Sequence, residues 1–324
     1  MKVCIVGAGA IGGWIGVKLA QAGSELGVLA RGATLQALRE RGLTLHSAAG
    51  TTTVPVRASA DARDLGVQDL VVVAVKAPAL AQVAASVAPL LGPSTIVLTA
   101  MNGVPWWFFD GFGGRFAGTR LQAVDPDGSI ARAIPASKIV GCVVHASCSV
   151  DAPGQARHHF GGKLIVGEPS GEKTQRVQRL VALLQGAGLE TVLSDRIQRD
   201  IWFKLWGNMT INPVSALTGA TSDLILGDDL VRGFVSNVML EAREIGARIG
   251  IPIDQRPEDR HQVTLKLGAF KTSMLQDVEA GKPVELDALV TVVRELGVLT
   301  GVATPFTDAL LGLARLHGRV RGLY

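Results

Sequence analysis

A chain of 324 residues, 48% hydrophobic and 19% charged, is too apolar for disorder and long enough to divide into two domains. Its 32 Lys and Arg against 28 Asp and Glu leave a net charge of +4, and these residues are scattered. The densest basic cluster, the tail ARLHGRVRGLY, reads as a helix end rather than a nucleic-acid surface, so no nucleic-acid partner is expected.

The opening KVCIVGAGAIGGWIGVKLAQAG predicts strand, tight turn and helix. Residues 2–6 are an apolar, partly β-branched run suited to a parallel strand covered on both faces. Gly7, Gly9 and Gly12 follow as GxGxxG, with Ala10 and Ile11 between the second and third glycines. In that pattern the first glycine makes the turn, the second admits a pyrophosphate and the third lets helix meet strand. The amides of the helix N-terminus then face the phosphates. A lysine followed by apolar residues also resembles a signal peptide, but the glycine spacing fits nucleotide binding better.

The second strand, ELGVLAR, carries Arg31 where an NAD enzyme usually places an acid, and Glu25 falls at the strand's start. An arginine fork suits a ribose 2′-phosphate, so NADP is the expected cofactor; a solvated loop arginine is the alternative. Residues 43–57 alternate and predict a β-hairpin insert. DLVVVAVKAPAL predicts a strand running to Lys76, a second cation at a carboxyl end, and STIVLTAMNGV ends at Asn102, placed for a nicotinamide or substrate group. The apolar run near Val71 is broken by Lys76 and Pro78, so no membrane span is expected.

Residues 138–168 predict two more strands and 173–193 a helix and a strand. His145, His158 and His159 lack ligand spacing, and Cys4, Cys142 and Cys148 form no CxxC, so no metal is expected and a reducing cytoplasm fits. From Arg196 onward the periodicity is helical: 196–218, 229–250, 257–280 and 284–316, with Pro252, Pro257, Pro283 and Pro305 as boundaries. The fold expected is an α/β Rossmann-type, doubly wound N-terminal domain (1–195) plus an all-α C-terminal domain (196–324).

Within DIWFKLWGNMTINPVSALTG, Lys204, Asn208 and Asn212 recur every four residues and form one polar stripe on an apolar helix. Buried polar groups are costly without partners, so the stripe calls for water, protein or substrate. The neighbouring tryptophans are expected to desolvate Lys204 and lower its pKa.

Together GAGAIGG, Arg31, VKAPAL, MNGV, KLWGNMTINPVSALTG and KTSMLQDVEAGKPVELDAL resemble the ketopantoate reductases (2-dehydropantoate 2-reductases), over roughly residues 1–104 and 138–310. The resemblance implies an NADPH-dependent reductase of a small-molecule 2-oxo acid, most simply ketopantoate to pantoate in pantothenate biosynthesis. It places Gly7, Gly9, Gly12, Arg31 and Lys76 on the cofactor and Asn102 on cofactor or substrate. Lys204 falls on the catalytic lysine, Asn208 and Asn212 on substrate-facing asparagines, Ser273 on the serine that holds the carboxylate, and Glu285 on the active-site glutamate. Glu285 is also expected to raise the Lys204 pKa. A helix-cap serine and a first-turn acid are the plain alternatives for the last two. A homodimer is left open.

The segment 105–137 departs from the family pattern by its length and by the aromatic run Trp106 to Phe109. Two readings stand: the aromatics wall a pocket and favour a bulkier 2-oxo acid, or they pack as a structural flap. A superfamily dehydrogenase with another substrate, and a non-catalytic NADP(H) sensor, complete the alternatives.

Overall fold

Burial decides where the first strand lies: Val3, Cys4, Ile5 and Val6 are at most 1% exposed, which requires a neighbour on every side. In the computed structural model, which describes residues 1–324, this run is β1 (Lys2–Val6). It pairs in parallel with β2 (Glu25–Leu29) on one side and β6 (Gln68–Val73) on the other. Outside these lie β5 (Arg57–Ser59) beside β2, and β7 (Leu91–Thr99) and then β8 (Ile139–Ala152) beyond β6, all parallel to their neighbours. Numbered along the chain as 1 to 6, these six parallel strands stand in the order 3-2-1-4-5-6, the doubly wound dinucleotide-binding arrangement.

The sheet continues past β8. That strand turns back as the antiparallel β9 (Gln155–Gly167), which pairs in parallel with β3 (Leu43–Ser47) and with β10 (Glu190–Leu193). The expected hairpin closes that edge as β3 with β4 (Gly50–Val54). The helix Ala10–Gln21 buries seven residues, including Trp14, Ile15, Val17 and Leu19. Its core continues through Leu43, Val140 and Leu164.

The chain forms two compact units, one of residues 1–101, 106–120 and 127–200, the other of 102–105, 121–126 and 201–324. In the first, the aromatic run lies inside the packing: Trp106, Trp107, Phe108 and Phe109 are 0–4% exposed. Gly141 makes room for the Trp107 indole, since a Cβ there would come within 2.5 Å of it. Phe109 stacks on Phe116 with centroids 5.6 Å apart and meets Phe112 edge-on. The Trp106 indole N–H donates to the Ile134 carbonyl at 3.4 Å. This is the arrangement of a structural flap.

The second unit is helical. The helix Ile197–Thr218 carries Pro213 in its interior and enters this unit at Ile201. Trp202 and Trp206 face the helix Asp229–Ile249: the Trp206 indole donates to the Met239 carbonyl at 2.7 Å, and Trp202 fills the space over Gly246. That helix is capped by the Asp228 carboxylate at its start and by left-handed Gly250 at its end.

Two expected long helices are each interrupted. Residues 257–280 divide into Pro257–Leu265 and Ser273–Glu279, the break running through left-handed Gly268. Residues 284–316 divide into a π-helical turn Asp287–Thr291 with the helix Val292–Thr300, then Pro305–Val320 after left-handed Gly301. Carboxylates tie the pieces together: Glu241 accepts from the N–H groups of Phe306 and Thr307 at 2.8 Å, and Glu295 from those of Gln122 and Ala123 at 2.7 and 2.8 Å. No helix is long and apolar enough to cross a membrane.

Candidate active site

The three glycines of the opening turn differ in what surrounds them. Gly7 has φ +97°, and a Cβ there would lie 2.7 Å from the Val75 side chain. At Gly12 a Cβ would come within 2.1 Å of the Gly7 carbonyl oxygen, so helix and turn touch through bare backbone. At Gly9 it would meet nothing within 4 Å. The glycine needed by neither packing nor turn is therefore the one whose missing side chain leaves room for a ligand. Ala10 begins the helix and Ile11 packs partly into the core, and no side chain caps this end. A pyrophosphate fits this cradle.

Two cations flank it along the sheet. Arg31 is the exposed N-cap residue of the helix Gly32–Arg41, two residues past the end of β2. Lys76 is half-buried and stands at the start of the turn Ala77–Ala79; β6 itself ends at Val73, three residues before the expected point. The turn after β1 and both cations thus follow the carboxyl ends of three neighbouring parallel strands.

In the helical unit, Lys204 is half-buried and its Nζ donates to Oδ1 of Asn102 at 2.8 Å. Asn208 and Asn212 occupy the next two turns of the same face. Asn212 is only 7% exposed, yet neither its carboxamide nor that of Asn208 bonds within the protein. A buried amide held for nothing inside the fold marks a place for something outside it. The two tryptophans expected around Lys204 turn away from it. Trp202 and Trp206 lie two positions either side of it, about 160° round the helix, and reach the helix Asp229–Ile249 instead.

The Asn102 turn is fastened to the segment that bears Glu285. The Val104 N–H donates to the Ala288 carbonyl at 2.9 Å, and Gly103, at φ +82°, packs so closely that a Cβ would fall 2.4 Å from that same oxygen. The π-helical turn Asp287–Thr291 contains Ala288. Its register is held by the Tyr324 hydroxyl, which donates to Asp287 at 2.7 Å, and by the Val284 N–H, which donates to the Leu323 carbonyl at 3.0 Å. Glu285 itself is 8% exposed. Asn102, Lys204 and the Glu285 segment are thereby joined. Ser273 is exposed at the first position of its helix and makes no hydrogen bond; Thr272, whose hydroxyl accepts from the Leu275 N–H at 3.1 Å, performs the capping.

Sequence reasoning passed over one cation. Arg260 lies against the lysine helix, its guanidinium 5.5 Å from the Phe203 ring centroid and across Gly207, where a Cβ would meet Nε at 2.9 Å. The available signal was the lone glycine in LWGNM, an odd choice for a helix interior.

Comparison with known proteins bears on both units. Residues 3–107 match the ketopantoate reductase PanE/ApbA model and residues 196–318 the ketopantoate reductase PanE/ApbA C-terminal model. The chain belongs to the ketopantoate reductase family. A 2-dehydropantoate 2-reductase of Mesorhizobium japonicum is 47% identical to this family member over the whole of both chains. A crystal structure from Ralstonia solanacearum MolK2, itself assigned to the ketopantoate reductases by inference, shares 60% identity with TM-score 0.96 over 99% of each chain. The 2-dehydropantoate 2-reductase of Geobacter metallireducens shares 29%, with TM-score 0.85 over 98% of this chain and 99% of that one. The chain is thus an oxidoreductase of ketopantoate reductase type, a Rossmann-like unit followed by a helical one.

Proposed function

We propose that this protein reduces 2-dehydropantoate to pantoate with NADPH, with Lys204 as the general acid. The observation that carries the reading is the Lys204–Asn102 bond at the head of a stripe of two uncommitted carboxamides. Bound NADPH would supply the hydride to the carbonyl carbon. As that carbon becomes tetrahedral, negative charge grows on its oxygen, and an ammonium at hydrogen-bond distance stabilises the charge and releases a proton to it. Asn102 fixes the direction of the ammonium, while Asn208 and Asn212 offer donors and acceptors to hydroxyl and carboxylate groups. Ser273, exposed and without a partner, suits the carboxylate. Gly7, Gly9, Ala10, Ile11 and Gly12 would hold the pyrophosphate, with Arg31 and Lys76 toward the 2′-phosphate end.

The test is loss of reduced-nicotinamide absorbance with ketopantoate, NADPH and NADH being run side by side. Lys204→Met should lower kcat roughly 100- to 10,000-fold with NADPH affinity unchanged, the range for removing a general acid. Arg31→Ala should erode the preference for NADPH about ten-fold or more, as expected for charge-assisted bonds. Near-normal turnover by the lysine variant would end the assignment of its role.

A further inference from the structure

Arg260 has no place in the chemistry just described. It sits on the helix Pro257–Leu265, and its guanidinium lies on Phe203 and Gly207, residues adjacent to Lys204 and Asn208. Gly207 is three residues beyond Lys204, so the two share one side of the helix with β-carbon positions about 5–6 Å apart. The guanidinium makes no ion pair, and its Nε is buried without a hydrogen-bond partner. Of the acids nearest in sequence, Asp259 is engaged elsewhere, pairing with Arg256 at 3.4 Å. Burial lowers the Arg260 pKa from its usual value, although the residue as a whole is half-buried and only its Nε is both enclosed and unpartnered. Packing over an aromatic ring returns only part of that cost. Such an arrangement is retained where an anion completes it, because a guanidinium offers a planar fork that matches a carboxylate.

We propose that Arg260 is a substrate-binding residue that pairs with the carboxylate of the 2-oxo acid, the same group that Ser273 would hold, beside the carbonyl presented to Lys204. The proposal rests on the reading of the protein as a 2-oxo acid reductase and adds to it a specificity element in the helical unit. Gly207 belongs to the same device: a Cβ there would stand 2.9 Å from Nε, so a side chain would push the guanidinium from its seat.

The experiment measures binding of oxamate, an unreactive 2-oxo acid analogue, to the full chain by calorimetry in the presence of saturating NADP+. Arg260→Gln should weaken oxamate at least ten-fold while leaving the affinity for NADP+ unchanged. Gly207→Ala, which keeps the arginine but displaces it by its new Cβ, should show the same loss without lowering Tm, and Arg260→Lys should recover part of it. In turnover, kcat/KM for 2-oxo-3-methylbutanoate relative to its neutral amide should fall by the same factor in both loss variants. Oxamate affinity within two-fold of wild type in Arg260→Gln overturns the proposal, as does wild-type protein that does not bind oxamate. Wild-type protein that binds oxamate but reduces no 2-oxo acid would defeat the proposed reaction, and the titrations would still decide what Arg260 does.

Discussion

At the scale of single residues, GxGxxG mixes two kinds of glycine that a pattern match cannot separate. Gly12 is fixed by the fold, since a methyl group would stand 2.1 Å from the Gly7 carbonyl oxygen. Gly9 is fixed by nothing in the protein, its Cβ direction being open to 4 Å. The two alanine variants should therefore fail differently. Gly12→Ala must push helix from turn, and overpacking of this kind costs about 1–3 kcal/mol, so its Tm should drop by several degrees. Gly9→Ala should melt within about 1 °C of wild type, as a surface change does, yet bind NADPH at least ten-fold more weakly. Thermal melts and cofactor titrations on the pair check this, and a Gly9→Ala protein with intact affinity would remove the pyrophosphate from that turn.

At the scale of elements, the segment after Asn102 shows what composition alone leaves open. Four aromatics in a row are equally good at lining a cavity and at filling a core. The choice depends on partners remote in sequence, here Gly141, whose missing Cβ leaves space for the Trp107 ring, and Ile134, which accepts from Trp106. No local pattern announces them. Trp107→Ala should consequently act on stability, by about 3–5 kcal/mol as for large aromatic deletions in cores, with the ranking of 2-oxo acids by kcat/KM unchanged. Trp107→Phe should lose much less, because it keeps a ring while removing an indole N–H that is buried without a partner. Chemical denaturation measures the first quantity and a substrate panel the second; a changed ranking with unchanged stability would restore the pocket-wall reading.

At the scale of the whole molecule, the strands were legible because parallel sheets buried on both faces write themselves as unbroken apolar runs, as in KVCIV and DLVVV. The polar stripe of Lys204, Asn208 and Asn212 was equally legible, since a spacing of four needs only one helix to be interpreted. What escaped depended on two elements meeting: the breaks at Gly268 and Gly301, the tryptophans turned from Lys204 toward Gly246 and Met239, and Arg260 folded over Gly207. The same meeting of helices sets the response to acid. His261, beside Arg260, is 3% exposed and its Nε2 lies 2.9 Å from the Ser236 hydroxyl of the neighbouring helix. Desolvation lowers its pKa below the ordinary 6.5, with Arg232 pushing the same way and Glu258 opposing. A depressed pKa means that the folded state prefers the neutral ring. Its contribution is present in full above the ordinary pKa and is lost as pH falls, because the unfolded chain then takes up a proton that the native site resists. His317 is shifted in the same direction by burial and by Arg321. Tm should therefore hold through neutral pH and decline below about 6.5, the unperturbed histidine value. His261→Gln, whose amide can still reach Ser236, should decline less steeply, with the remaining slope owed to His317. If wild type and variant fall in parallel between pH 7 and pH 5, the acid sensitivity lies elsewhere and the His261 site is already open to protons in the native state.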